Sequence, residues 1–302
     1  MTEKKFFADG IHSISNDEYH SANGISRSTL MLLDKSPYHF WYKVYSGEYE
    51  QKPATPAMVL GSAFHTMLLE PALFEKEYAV KPKLEKLPPE VRKKDVGAEL
   101  YEQYKSAVSE IRERNRIALE DFESQSQSKI VLSEDECAKL FNMVSLTKKH
   151  NIVDTLLEGS QFEQSIFWTD RETGIQFKAR PDIWSPKVIV DLKTTNDSAP
   201  YKLQRAALDH GYYLQAGMMY EACKAIEMPF EMFVILAVEK EAPYVPAAFM
   251  LDDEALQFGI DQFTRYKRQL AECINADSWP GYSIQELSVP QFAVKQLENE
   301  EA

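Results

Sequence analysis

Two acids and a lysine near the middle of the 302-residue chain have the types and spacing to do chemistry. The stretch reads Ala179-Arg180-Pro181-Asp182, then eight residues, then Asp191-Leu192-Lys193-Thr194-Thr195. Ser185-Pro186-Lys187 reads as a turn between two strands. A hairpin centred between Pro186 and Lys187 places Asp182 opposite Asp191, and directly opposed side chains have Cβ atoms about 4.5–5.5 Å apart. Carboxylates that close repel each other unless a cation lies between them. Mg²⁺ takes oxygen ligands at about 2.0–2.1 Å and often only one or two protein carboxylates, so the pair suits it. Asp191 and Lys193 are two apart on a strand and face the same side. A lysine beside a water held by that cation can orient the water and stabilise its deprotonated form. Cation, water and lysine together can attack a phosphodiester.

A loose Pro-Asp followed by Asp-x-Lys arises by chance in roughly one chain in ten of this length, so the surrounding elements decide its meaning. Residues 187–191 read as a strand, with Val188, Ile189 and Val190 as an apolar run. The polar pair follows where the strand emerges, the place an α/β sheet presents its ligands. Residues 161–168 and 174–182 have strand character and are joined by a turn at 170–174, which makes a three-strand meander. A long helix over 201–225, strands over 230–238 and 244–250, and a helix over 252–275 follow. Ahead of the meander the pattern is helical. Ser26 or Ser28 can cap a first helix, and Pro37 after Ser36 can start another. A buried helix spans 58–69, and 82–94 reads as an exposed loop. Residues 99–122 form a polar helix whose Arg112, Arg114 and Arg116 read as a solvated face more readily than as a DNA contact. A helix over 133–158 opens with a capping box of Ser133 and Glu136. The order predicts an α/β fold, a mixed sheet flanked by helices.

Composition bounds these readings. Hydrophobic residues make up 44% and charged residues 27%, the balance of a soluble globular protein. The longest apolar runs, such as 233–238, are too short to cross a bilayer, and the first ten residues have no apolar signal-peptide core. Cys137, Cys223 and Cys273 are far apart and odd in number, which fits a reducing cytoplasm. They cannot form a four-cysteine zinc or iron–sulfur site. The net charge of −13 argues against nucleic acid if taken alone, but a binding site is local. No Gly-x-x-x-x-Gly-Lys phosphate loop marks an attached ATP-driven motor. On periodicity alone, His65 on its apolar helix reads as a hydrogen-bonded core residue. Glu163 reads as a surface acid, and Gln215 as a polar residue able to reach the strand end.

The chain resembles the exonuclease VIII (RecE-like) nucleases of phages and prophages, within the PD-(D/E)xK nuclease superfamily. The carrying segments are Gly24-Ile25-Ser26-Arg27-Ser28-Thr29-Leu30, Leu60-Gly61-Ser62-Ala63-Phe64-His65, Glu163-Gln164-Ser165-Ile166-Phe167-Trp168, Glu172-Thr173-Gly174, Arg180-Pro181-Asp182, Asp191-Leu192-Lys193-Thr194-Thr195, Tyr213-Leu214-Gln215-Ala216 and Trp279-Pro280. The resemblance implies a restriction-endonuclease-like core with helices added at the N-terminus. It divides a single 1–302 nuclease domain into an N-terminal helical region over 1–56, a core with a helical insertion over 57–285, and an acidic tail over 286–302. It makes His65, Asp182, Asp191 and the Leu192 carbonyl metal ligands, Lys193 the catalytic lysine, Glu163 a helper acid and Gln215 a site glutamine. It also implies Mg²⁺, with Mn²⁺ as a substitute, and 5′→3′ degradation of linear duplex DNA ends. A homo-oligomeric ring, a single-strand annealing (RecT-like) partner and a bacterial cytoplasm complete the expectation. The rival readings are an endonuclease of the same fold and a non-catalytic DNA-binding module. One departure stands out: Met219 occupies the place, four residues after the glutamine, where related nucleases often have tyrosine.

Overall fold

A computed structural model describes residues 5–185, 188–289 and 291. Pro186 and Lys187 of the expected turn, and most of the expected acidic tail, lie outside these residues. The chain begins with strand β1 (Gly10–His12) and short helices α1 (Asn16–Ser21) and α2 (Arg27–Leu30), followed by a 3-10 turn. Helix α3 (Pro37–Val44) starts as expected, with Ser36 accepting from the His39 N–H and Pro37 at its first position. Ser26 caps α2 by position only, its hydroxyl bonding the Ser28 and Thr29 side chains rather than a backbone N–H of the helix. Helices α4 (Pro56–Leu69) and α5 (Pro71–Glu77) lead into strand β2 (Tyr78–Val80). Helices α6 (Lys93–Val96) and α7 (Ala98–Gln125) then carry the chain to strand β3 (Ile130–Leu132), the parallel partner of β2. Ser133 and Glu136 form the predicted capping box on α8 (Glu134–Lys148). That helix does not run on to 158; a separate short helix α9 (Val153–Leu157) follows.

The meander is where the structure departs most from expectation. Strands β4 (Gln161–Phe162), β5 (Ser165–Thr169), β6 (Gln176–Ala179), β7 (Ile183–Trp184) and β8 (Val188–Thr195) do not share one sheet. β5 and β6 pair with β1 in a three-stranded sheet of order β1-β5-β6. The other three join β9 (Met232–Glu239) and β10 (Pro246–Met250) in a five-stranded sheet of order β10-β9-β8-β7-β4. The chain crosses between the sheets at Glu163 and again at Arg180-Pro181-Asp182. Both crossings have a local cause. Glu163 adopts a left-handed backbone (φ 51°), which breaks a strand. Pro181 has no N–H to continue a ladder. The five-stranded sheet is mixed, since β8 and β9 are parallel and its other pairs antiparallel.

The helix expected over 201–225 is two helices, α10 (Pro200–Asp209) and α11 (Tyr212–Ala225). Gly211 separates them at φ 67°, a conformation that suits glycine, and a Cβ there would lie 2.5 Å from Met31 Sδ. Helix α12 (Asp253–Ala276), capped by Asp252, packs on α11. One face of the sheet buries Ile189, Phe233 and Ile235 against α10, α11 and α12. The other buries Val190, Leu192 and Val234 against α4, α8 and α9. The alternation along β8 therefore puts Asp191 and Lys193 on the α11 face. Among the described residues no helix is long and apolar enough to cross a membrane.

Candidate active site

The hairpin arithmetic meets the observed register. Ile183 pairs with Val190 and Trp184 with Ile189, so the same register carried one step further sets Asp182 opposite Asp191. Asp182 lies just before β7, and its Oδ2 accepts the Leu192 N–H at 2.6 Å. An extended residue turns its N–H and carbonyl to the same side of the strand. The Leu192 carbonyl therefore faces the edge that Asp182 occupies, beyond the end of β7.

Two residues from distant parts of the chain join Asp182. His65 projects from α4, with Nδ1 3.4 Å from Asp182 Oδ1. Glu163 stands at the other sheet crossing, and its backbone N–H donates to the Asp182 carbonyl at 3.1 Å. The two crossings are thus hydrogen-bonded to each other. His65, Glu163 and Asp182 each offer one ligand atom, all within 4.8 Å of one another. Asp191 is beside this group but engaged elsewhere. Its side chain is 2% exposed, and Lys193 Nζ stands 2.7 Å from both carboxylate oxygens, donating in hydrogen-bond geometry to Oδ1. Gln215 Nε2, from α11, donates to the same Oδ1 at 2.6 Å. The Lys193 ammonium also lies 5.3 Å from the centre of the Tyr212 ring.

The electrostatics follow from this crowding. Burial and then the Asp182 carboxylate push Glu163 up to about 7. Burial and the Asp182 charge outweigh Lys193 and hold Asp191 above the usual carboxylate range. Burial opposes ionisation of Asp182, but His65 and Lys193 outweigh it and keep that acid low. Burial likewise favours neutral His65, and the Asp182 carboxylate reverses the balance and raises it. Lys193 is pulled down by burial, yet Asp191 and Asp182 raise it overall, so it stays an ammonium.

These residues suit a divalent cation. Three acids crowd one spot beside an imidazole, and the carboxylate charges repel one another without a cation. Gln215 Oε1 is a buried acceptor with no hydrogen-bond partner, as expected of an atom that serves an incoming group. The site opens into a cleft of about 920 Å³ lined also by Ser26, Arg27, Lys76, Tyr78 and Arg180.

Arg180 is the residue that sequence reasoning quoted without giving it a task. Its Nε donates to Glu163 Oε2 at 2.8 Å, and its Nη1 donates to the Ile14 carbonyl and to Ser165 Oγ, each at 3.1 Å. It fixes Glu163 and ties it to the N-terminal segment. An arginine two residues before Asp182 is the one signal the sequence offers. The α7 arginines lie elsewhere and are exposed; Arg114 and Arg116 are paired with glutamates.

A mixed sheet between helices, with an acid before one strand and an Asp-x-Lys on its hairpin partner, defines the PD-(D/E)xK class. The chain belongs to the family described as "PDDEXK-like domain of unknown function (DUF3799)", which it matches over residues 26–286. Among solved structures it is similar to a "putative exonuclease" from Eubacterium rectale, with a TM-score of 0.54 and 11% identity. That alignment covers 94% of this chain and 98% of the other, and at such identity it speaks for the fold alone. A second structure, SSO0001, has a TM-score of 0.24 and 12% identity over 42% of this chain and 63% of the other, too little to carry an argument. No curated protein matches the chain.

Proposed function

We propose that the protein is a Mg²⁺-dependent exodeoxyribonuclease that degrades linear duplex DNA 5′→3′ and leaves 3′ single strands for recombination by annealing. One observation carries the reading: one buried acid, Asp191, and two half-buried ones, Glu163 and Asp182, converge with a histidine and a lysine where two sheets cross, beside a cleft that His65, Glu163 and Asp182 line. The exonuclease name of the Eubacterium rectale neighbour and the resemblance to the exonuclease VIII nucleases support the exonucleolytic part.

His65, Glu163 and Asp182 would hold the cation, with Asp191 and the Leu192 carbonyl beside them, and Mn²⁺ as a substitute. Bound there, a divalent cation supplies Lewis-acid stabilisation of the charge that develops on phosphorus. The protein's own groups do the rest. Lys193 is held as an ammonium, so it acts as a donor rather than a base: it orients the attacking water and stabilises the negative oxygen left on deprotonation. Glu163 would serve the cation as a carboxylate, held in place by the Arg180 guanidinium. Gln215 holds Asp191 through Nε2 and leaves its Oε1 free to accept from an entering donor. A ring of identical subunits, a RecT-like annealing partner and a bacterial cytoplasm complete the proposal on the strength of the resemblance.

End-labelled linear duplex incubated with Mg²⁺ tests the reading. Wild-type protein shortens it, and Lys193→Ala or Asp191→Ala slows the reaction by about 10²–10⁴-fold, the range for a positioned proton-handling group. Digestion by either variant at the wild-type rate refutes the assignment. Covalently closed circular duplex stays intact with an exonuclease and is cut by an endonuclease.

A further inference from the structure

With a net charge of −13, the protein repels DNA everywhere except where cations gather locally. Helix α7 is not such a place. It carries seven acids against four bases. Arg114 is held by Glu85 at 2.6 and 2.9 Å, and Arg116 lies between Glu113 and Glu120. The segment between β2 and α7 has the opposite character. Residues 81–94 contain Lys81, Lys83, Lys86, Arg92, Lys93 and Lys94 against Glu85 and Glu90. All six cations are exposed, and among the described residues none of them makes an ion pair within 4.0 Å.

Glu85, the acid in the middle of this run, is neutralised and used as an anchor. Its carboxylate takes both the Nε and the Nη2 of Arg114. Its backbone N–H and carbonyl both bond the Asn115 side chain, each at 2.9 Å. The segment is thereby pinned to α7 through its acid, and its lysines are left to solvent. It also follows directly on the strand that borders the cleft. Lys76 and Tyr78 line the cleft, and the Lys81 N–H extends the β2–β3 pairing by donating to the Leu132 carbonyl at 2.8 Å. At ~3.3 Å per strand residue, Lys81 lies about 10 Å along the strand from Tyr78.

We infer that segment 81–94 is a track for the phosphate backbone of the duplex outside the cleft. It rests on the nuclease reading above and adds where the rest of the substrate lies. Lysines and an arginine on a pinned segment, irregular up to the first turn of α6, contact phosphates as point charges, so the contact is independent of base sequence and sensitive to salt.

The test is the salt dependence of binding to a short fluorescent duplex, followed by anisotropy with EDTA present so that no cleavage occurs. Each phosphate contact adds about 0.9 to the slope of log affinity against log salt. The variant Lys81→Gln/Lys83→Gln/Lys86→Gln should lose roughly three contacts' worth of slope, and Lys83→Glu/Lys86→Glu should weaken binding further. Arg116→Gln should leave the slope unchanged. All three should hydrolyse bis-p-nitrophenyl phosphate, too small to reach the track, at the wild-type rate. If the wild type cuts duplex DNA while the lysine variants keep its slope and affinity, the track is refuted and the nuclease reading stands. A slope lost equally in Arg116→Gln refutes it as well. Wild-type protein that neither binds nor cuts duplex refutes both.

Discussion

Glu163 concentrates the electrostatic cost of the site in one carboxyl. Folding raises it from 4.5 to about 7, so the cation-free native state keeps a proton that the unfolded chain gives up. Raising the pH across that window therefore favours unfolding, by an amount on the order of 3 kcal/mol. The melting temperature in EDTA should fall between pH 4.5 and 7 for the wild type. It should fall less for Glu163→Gln, and equal slopes would contradict the assignment. Cation binding needs the carboxylate, so Mn²⁺ affinity measured by calorimetry should rise over the same window. Asp182, Asp191 and Lys193 were legible in the sequence because spacing about a hairpin is arithmetic. His65 and Glu163 were not legible from spacing, and only the resemblance singled them out. One sits on an apolar helix and the other at a strand break, and what joins them to Asp182 is the packing of elements far apart in the chain. The structure also pairs Asp191 with Lys193 and Gln215, while the ligand atoms that converge belong to His65, Glu163 and Asp182.

Helices α11 and α12 meet backbone to backbone. A Cβ added to Gly217 would lie 2.2 Å from the Gly259 carbonyl carbon, and one added to Gly259 would lie 1.9 Å from the Tyr213 carbonyl oxygen. Neither obstacle is a flexible side chain, so the helices must separate to admit a methyl group. Gly217→Ala or Gly259→Ala should cost about 3 kcal/mol or more in urea unfolding, at or above the upper end for overpacking. Because α11 carries Gln215, activity should fall even where the fold survives. Wild-type stability in both variants would show the contact to be looser than drawn. In the sequence these glycines look like ordinary weak points in helices, since nothing local says that one faces the other. The same limit lies behind two of the breaks in continuity. Periodicity ran straight through Gly211 and joined two helices. Strand propensity ran through Arg180-Pro181-Asp182 and joined two sheets. In both places the residue that breaks the element was visible, but its tertiary reason was not.

On the scale of the whole molecule, the fold class was readable because the order of helical and extended patterns prunes the possible layers to a few. The assembly was not readable in the same way, since a ring depends on surfaces whose partners lie outside the chain. If the proposed ring forms, each subunit brings a charge of −13 to the others. Added salt screens that repulsion. Light scattering should then give a multiple of 34.7 kDa that holds or increases with salt, the reverse of the trend for DNA binding. A single-subunit mass at every salt concentration would remove the ring. The exposed segment at 81–94 has one more consequence. A protease that nicks it leaves His65 on one fragment and Glu163, Asp182, Asp191 and Lys193 on the other. The ligand set would then exist only in the reassembled pair, and cation uptake would count how many split molecules had found their other half.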